Sequence, residues 1–136
     1  MFYVFLAEGF EETEALAPVD VMRRAKLDVK TVGVTGGCVT SSHGVPVKAD
    51  ITIDNIDLDD VQGVVLPGGM PGTLNLEANK KVLEAVKYSC ENGKIVAAIC
   101  AAPSILGHLG ILDGKKATCF PGFEKELKGA DYTGTH

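Results

Sequence analysis

The sequence predicts an α/β domain with three layers, in which helices cover both faces of a doubly wound, mostly parallel sheet. Two observations predict this fold. Strand-like and helix-like segments alternate along the chain, and the strand-like segments are apolar at consecutive positions, as strands buried on both faces are. The 136 residues are 46% hydrophobic and 23% charged, which suits one domain with its own core and is too little for two. We therefore predict that residues 1–136 form a single domain.

The first half of the chain supplies two strands, a helix and a hairpin. FYVFL at residues 2–6 predicts a buried strand. Residues 11–27 predict a helix, with acidic side chains in the first turn and basic ones near the end, as the helix dipole favours. VKTVGV predicts the second strand. GGCVTSSHGVPVKADITI, which contains two glycine turns, predicts a hairpin or antiparallel excursion.

The second half repeats the alternation. Residues 63–69 (GVVLPGG) predict a strand that ends in a glycine turn, and residues 78–93 predict a helix that stops at Gly93. KIVAAIC predicts a strand, residues 102–112 a helix, KKATCF a further strand and FEKELKG a short helix. The final stretch, GADYTGTH, is polar and strand-like. We therefore expect that this chain lacks the last strand and helix that usually close such a sheet.

Composition and the first residues exclude several classes of function. The net charge is −5, and no cluster of lysine and arginine offsets it, so we expect no nucleic-acid partner. The start, MFYVFLAEG, has no basic region and too short an apolar run for a signal peptide or a membrane span. We therefore expect a cytoplasmic protein that does not associate with membranes.

The four cysteines are predicted to be free thiols. Cys38, Cys90, Cys100 and Cys119 show no CxxC motif and no Cys/His ligand spacing. Their even number leaves a disulfide as the alternative, which the expected compartment disfavours. GGMPG lacks the Lys-Ser/Thr of a phosphate loop, and DNIDLDD lacks the spacing of a calcium loop. We therefore expect no metal and no cofactor.

Three features fall at predicted carboxyl ends of strands, where open α/β sheets bind their ligands. They are the acidic residues 11–14, the Gly68-Gly69 pair, and Cys100. Cys100 follows a strand, precedes a helix and has small neighbours, which is the logic of a nucleophile elbow. The start of the helix and the amides of Ala101 and Ala102 would favour a thiolate or another anion there. The alternative is that Cys100 is a small hydrophobic residue of the core.

The chain also resembles a known family. AEGFEETEALAPVDVMRRA, VVLPGGMPGTLNL and IVAAICAAPSILG are similar to motifs of the ThiJ/PfpI family, in its Parkinsonism-associated redox-sensor and deglycase branch. The resemblance runs from residue 1 to about residue 121 and keeps the order of the motifs. It implies a flavodoxin-like fold of the class I glutamine amidotransferase-like kind, and a homodimer.

The resemblance also implies roles for four residues. Cys100 matches the reactive, oxidation-prone cysteine, and Glu14 the glutamate whose carboxyl group hydrogen-bonds that sulfur. Gly69 and Ala101 match the pair whose backbone amides form the oxyanion pocket. For Glu14, the alternative is that it only complements the dipole of its helix.

The chain departs from the family where many members carry a histidine. Ala101 and Phe120 occupy those two positions, so a Cys–His dyad is not expected, and His43, His108 and His136 are predicted to be surface or packing residues. Without a histidine base, attack on an amide loses support. Three functions stay open: a glyoxalase- or deglycase-like enzyme for small reactive carbonyls or glycated substrates, a redox sensor or chaperone without turnover, and a family member, labelled for thiamine biosynthesis, that shares only the fold.

Overall fold

The computed structural model describes residues 1–135, and its centre is a parallel sheet of five strands. In chain order the strands of the described residues are β1 (Phe2–Leu6), β2 (Val29–Gly33), β3 (Cys38–Thr40), β4 (Pro46–Lys48), β5 (Ile51–Thr52), β6 (Gly63–Leu66), β7 (Ile95–Ala98), β8 (Lys116–Ala117) and β9 (Asp131–Tyr132). The central sheet has the order β5–β2–β1–β6–β7, and its strands pair in parallel. From the central β1, the chain adds β2 and β5 on one side and then β6 and β7 on the other. This order confirms the predicted doubly wound topology.

Within residues 1–135, four α-helices lie on the two faces of this sheet. They are α1 (Glu12–Arg24), α2 (Gly72–Glu77), α3 (Lys80–Glu91) and α4 (Pro103–His108). Val4 and Leu6 of β1 pack in one core cluster with Ala15 and Val19 of α1. On the opposite face, Tyr3 and Phe5 belong to a second cluster, together with residues of the other three helices: Leu76, Val82, Val86 and Ile105. Successive residues of β1 thus bury opposite faces, which explains why its sequence is apolar without a break.

The predicted hairpin is present and leads back into the sheet. Strands β3 and β4 pair antiparallel, with Val39 opposite Val47. The chain then enters β5, which pairs in parallel with β2 at the sheet edge. The hairpin therefore forms a separate excursion between two strands of the central sheet.

The chain after β7 differs from the sequence prediction. The helix expected over residues 102–112 ends at His108, because Gly110 takes a positive φ of 74°. The N–H of Ile111 donates to the Leu106 carbonyl at 3.1 Å, and the N–H of Gly110 to that of Gly107 at 3.1 Å, which is the Schellman arrangement that stops helices.

The strand predicted for KKATCF is also wrong in extent and in place. Only Lys116 and Ala117 are extended, and they pair with Asp131 and Tyr132 in a small sheet of their own. The helix predicted for FEKELKG is a single 3₁₀ turn, Glu124–Glu126. The segment instead closes over α4 as a loop.

Among the described residues, no helix combines the length and apolar character that crossing a bilayer requires.

Gly107 fixes how closely that loop approaches α4. A Cβ atom at this position would lie 1.9 Å from the Glu126 carbonyl oxygen and 3.0 Å from the Leu127 Cα. Both neighbours are backbone atoms, so they have no side-chain rotamer with which to move away. A residue other than glycine would therefore separate the loop from the helix.

We predict that Gly107→Ala destabilises the fold by about 2–3 kcal/mol, since overpacking against backbone costs that much. Thermal or urea unfolding followed by circular dichroism measures the change. Gly37→Ala is the matched control, because nothing lies within 4 Å of a Cβ there, and surface substitutions usually change stability by about 0.5 kcal/mol or less. Equal stability of the two variants would contradict the close packing of α4 and the loop.

Candidate active site

Cys100 lies on a tight turn between β7 and α4. Its φ is +62°, in the left-handed region that residues with a side chain rarely adopt. Ile99 keeps the strand pairing, with its N–H donating to the Leu66 carbonyl at 3.3 Å, and the N–H of Ala102 closes the turn on the Ile99 carbonyl at 3.0 Å. Ala101 and Ala102 are buried. The backbone therefore holds the sulfur in one direction, as the elbow interpretation of the sequence expects.

Gly68, at the end of β6, lies between Cys100 and α1. Its N–H donates to Oε2 of Glu14 at 2.8 Å, and its carbonyl accepts from the N–H of Glu11 at 2.9 Å. A Cβ on Gly68 would lie 2.6 Å from that carboxylate oxygen, 2.7 Å from the Cys100 Cβ and 3.2 Å from its sulfur. Only glycine leaves room for the carboxylate and the thiol to meet across this residue.

The N-terminus of α1 positions Glu14 through a modified capping box. Glu11 is the N-cap, and its Oε2 accepts from the Glu14 N–H at 2.7 Å. In an ordinary capping box the glutamate three residues after the cap would bond back to the N–H of the cap residue. Here Gly68 replaces that hydrogen bond with two of its own. Its carbonyl accepts from the Glu11 N–H, and its N–H donates to the Glu14 carboxylate. The local helix start and the distant strand end are therefore one hydrogen-bonded unit.

The electrostatic surroundings raise the pKa of the Cys100 thiol. Partial burial is the largest cause, followed by the charge of the Glu14 carboxylate and its hydrogen bond. The backbone N–H groups of Ala101 and Gly69 act in the opposite direction and lower the thiol pKa, but they do not outweigh the first three effects. The sequence-based expectation of a thiolate stabilised by its surroundings therefore does not match this geometry. The helix begins only at Pro103, so the sulfur is not at its first turn.

Two hollows meet at the end of β7. One is a cavity of about 370 Å³ lined by Ile99, Cys100, Thr118, Cys119, Phe120 and Tyr132, among others. The other is an apolar groove of about 440 Å³ between α1 and the sheet, and Glu14 lines it. Ala98 and Ile99 line both. Small molecules therefore have access to Cys100 from the cavity side, while Glu14 lies on the groove side.

The structure brings together the four residues singled out in the sequence. Glu14, Gly69 and Ala101 all lie close enough to Cys100 to change the pKa of its thiol. Phe120 is exposed at the rim of the cavity, and its N–H donates to the Cys100 carbonyl at 2.8 Å.

The described histidines lie elsewhere. The imidazole of His43 pairs with Glu12 at 2.9 Å, and this carboxylate raises the pKa of His43. Glu11 completes a group of three possible metal ligands with these two residues. His108 lies between the carboxylates of Glu126 and Glu77, which raise its pKa. His136 is outside the described residues.

Sequence reasoning missed the structural roles of Gly68 and Glu11. In the sequence alone, Glu11 is one of several acids at a helix start, and Gly68 is half of a glycine turn. The E-x-x-E spacing of Glu11 and Glu14 carried a local signal for the cap. Nothing local predicted that Gly68, which is 54 positions from Glu14, would complete it.

Comparison with known proteins identifies the family. Residues 2–135 match the DJ-1/PfpI family. The chain belongs to this family. The resemblance seen in the sequence motifs is therefore confirmed over nearly the whole chain.

Individual members of the family are similar to this chain to a moderate degree. A DJ-1 homolog of Arabidopsis thaliana, homolog A, is 40% identical over 124 residues, which are 90% of this chain and 32% of the relative. A deglycase of Thermococcus kodakarensis is 32% identical over 93% of this chain and 76% of its own length. The crystal structure of a cysteine-to-alanine mutant of a DJ-1 superfamily protein from Salmonella typhimurium matches with a TM-score of 0.92, at 34% identity over 98% of this chain and 74% of that one. This chain thus spans about a third of the plant relative and three quarters of the other two.

We predict that Glu14→Gln lowers the pKa of the Cys100 thiol, because the substitution removes the negative charge that opposes ionisation. The pH dependence of iodoacetamide alkylation, with the Cys100 peptide quantified by mass spectrometry, measures this pKa. Glu12→Gln is the matched control, because Glu12 lies on the same helical turn but pairs with His43. An unchanged or higher pKa in Glu14→Gln would contradict the arrangement described here.

Proposed function

We propose that this DJ-1/PfpI protein acts on small reactive carbonyl compounds, in the manner of a glyoxalase or deglycase, through covalent addition of the Cys100 sulfur. One observation carries the proposal. A thiol on a strained turn has the backbone N–H groups of Gly69 and Ala101 and the Glu14 carboxylate within interaction distance. This is the set of groups that addition to an aldehyde needs: a nucleophile, a base and an oxyanion pocket.

The addition follows from where each group lies. The Cys100 sulfur forms a bond to the aldehyde carbon while its proton passes to the Glu14 carboxylate. The electron pair of the C=O bond moves to the oxygen, and the amides of Gly69 and Ala101 donate to this oxyanion. With methylglyoxal the product is a hemithioacetal. Return of this proton from Glu14 to the oxyanion completes the hydroxyl group of the hemithioacetal and restores the carboxylate.

The second stage moves hydrogen within the bound substrate. Glu14 removes the proton from the former aldehyde carbon and returns it to the neighbouring carbon, while the hydroxyl proton of the hemithioacetal passes to the ketone oxygen, so that the ketone becomes an alcohol and the hemithioacetal a thioester. Water then displaces the Cys100 sulfur and releases lactate. The sum is methylglyoxal plus water giving lactate, with oxidation of one carbon balanced by reduction of the next, so no external oxidant or cofactor is needed.

The raised pKa of the thiol suits this substrate class. A neutral thiol beside a carboxylate base is activated only when the electrophile is present. Aldehydes accept a sulfur nucleophile far more readily than amides do, and no described histidine lies next to Cys100 to assist attack on an amide. Relatives at 31–34% identity are named deglycases, which supports the same class. We further infer a cytoplasmic homodimer, on the strength of the family alone.

A second candidate function is a redox sensor or chaperone without turnover. The observation that favours it is the position of the Glu14 carboxylate, which would accept a hydrogen bond from the O–H of an oxidised Cys100. In this function mild peroxide modifies Cys100 selectively, whereas even oxidation of all four cysteines would contradict it.

We predict that the purified protein converts methylglyoxal to lactate and that Cys100→Ala lowers the rate about 100-fold or more. Glu14→Gln should also lower kcat by about 100-fold, the usual contribution of a positioned base. Lactate formation, measured with an enzyme-coupled assay, gives both rates. Cys38→Ser is the control, since Cys38 is exposed on β3 and its loss should leave the rate unchanged. Full activity in Cys100→Ala would refute the proposed function.

A further inference from the structure

A second cysteine lies in the cavity of the reactive one. Cys119 and Cys100 both line the same hollow of about 370 Å³. Both thiols are free and partly buried. The other two cysteines do not line this cavity, because Cys38 is on β3 and Cys90 is in the last turn of α3.

A backbone hydrogen bond sets how far apart the two cysteines are. The N–H of Phe120, the residue after Cys119, donates to the carbonyl of Cys100 at 2.8 Å. Since the Cα of Cys119 is one residue from that nitrogen, and the Cα of Cys100 is two bonds from that oxygen, the two Cα atoms are at most about 7–8 Å apart when the bonds are fully extended. Disulfides span Cα separations of about 4.4–6.8 Å. The hydrogen bond therefore permits a Cα separation within the disulfide range.

The loop that carries Cys119 is held on both sides. Before it, the Ala117 carbonyl accepts from the N–H of Thr133 at 3.0 Å, and after it, the Phe120 carbonyl accepts from the N–H of Phe123 at 3.2 Å. Cys119 itself packs against the core cluster beneath α4. The second thiol is therefore kept near the elbow, and its effective concentration at Cys100 is high.

We propose that Cys119 is the resolving thiol for oxidised Cys100, so that peroxide converts the pair into an intramolecular disulfide. The inference rests on the reactive Cys100 of the proposed function and adds a partner to it. First, the Cys100 sulfur attacks a hydroperoxide: an S–O bond forms, the O–O bond breaks, and the leaving oxygen departs as water or an alcohol. Cys100 is then a sulfenic acid.

In the second step the Cys119 sulfur attacks the Cys100 sulfur. An S–S bond forms, the S–O bond breaks, and the hydroxyl leaves as water with the proton of the Cys119 thiol. Two thiols thus supply the two electrons that reduce one peroxide. The disulfide prevents further oxidation of Cys100 to the sulfinic acid, which thiols do not reverse, and a small thiol or dithiol restores the reduced pair.

Peptide mapping separates the possible products cleanly. Trypsin cleaves after lysine and arginine, so it places each cysteine on its own peptide, with Cys100 in residues 95–115 and Cys119 in residues 117–125. The reduced full chain is treated with a few equivalents of hydrogen peroxide, blocked with iodoacetamide and digested without reductant. We expect wild type to lose about 2 Da and to yield the linked pair 95–115/117–125, whereas Cys119→Ser gains about 32 Da on residues 95–115.

Two further measurements make the assignment specific. Trapping with dimedone should label Cys100 about tenfold more in Cys119→Ser than in wild type, because the sulfenic acid is no longer consumed. Cys90→Ser is the matched control, a partly buried cysteine outside the cavity, and it should behave as wild type. The yield of the linked pair should not change when the protein is diluted, as an intramolecular bond requires.

The outcomes distinguish this inference from the proposed function. If wild type and Cys119→Ser both accumulate sulfinic acid on Cys100 to the same extent, the resolving role of Cys119 is wrong while the reactive thiol stands. If peroxide modifies Cys100 no more than Cys90, this inference fails, whereas the proposed function is tested separately by lactate formation. A disulfide that involves Cys38 or Cys90 instead would also overturn the assignment.

Discussion

The two backbone polar groups of Gly68 hold the candidate site together. The N–H donates to the carboxylate of Glu14 and the carbonyl accepts from the N–H of Glu11, so the segment after β6 is joined to the start of α1. The missing side chain matters as much as the hydrogen bonds, because a Cβ would collide with the Cys100 Cβ at 2.7 Å. Gly68 therefore sets the distances among the segment after β6, the start of α1 and the turn that carries Cys100. These contribute the backbone amide, the carboxylate and the thiol, respectively.

The groups around Cys100 determine the direction in which its thiol pKa shifts. Burial and a neighbouring carboxylate raise the pKa of the thiol, and the two amides of Gly69 and Ala101 offset them only in part. A thiolate formed in advance would be ready for any electrophile or oxidant. A thiol next to a base reacts when a substrate occupies the cavity and the proton has somewhere to go. The helix that follows contributes little, because it has only six residues and starts three positions after the cysteine.

Most of the fold could be predicted from the sequence, because buried parallel strands and amphipathic helices have strong local patterns. β1, β6 and α3 lie where their apolar patterns predicted them. The region after α4 was predicted poorly. Its course depends on Gly110, which stops the helix, and on contacts between Gly107 and the loop at Glu126. Such contacts join residues far apart in sequence and leave no periodic pattern.

The candidate site could likewise be predicted only where local sequence patterns or the family resemblance indicated it. The rule that parallel strands present ligands at their carboxyl ends brought Cys100 and the Gly68-Gly69 pair together, and a family resemblance supplied Glu14. The backbone groups that position Glu14 could not be predicted, because they pair residues that are 54 positions apart. The thiol pKa was expected in the wrong direction for a related reason. The expectation counted the favourable amides and the helix dipole, but burial and the charge of a carboxylate depend on the folded neighbours.

The position of the sulfur between two hollows links its two proposed reactions. Glu14 lines the groove on one side, and Cys119 lines the cavity on the other. Proton transfer during carbonyl addition uses the first side, while disulfide formation uses the second, and both need the Cys100 sulfur itself. A disulfide to Cys119 would remove the nucleophile and occupy the cavity at once. Because both reactions use the same Cys100 sulfur, peroxide and carbonyl compounds compete for one atom.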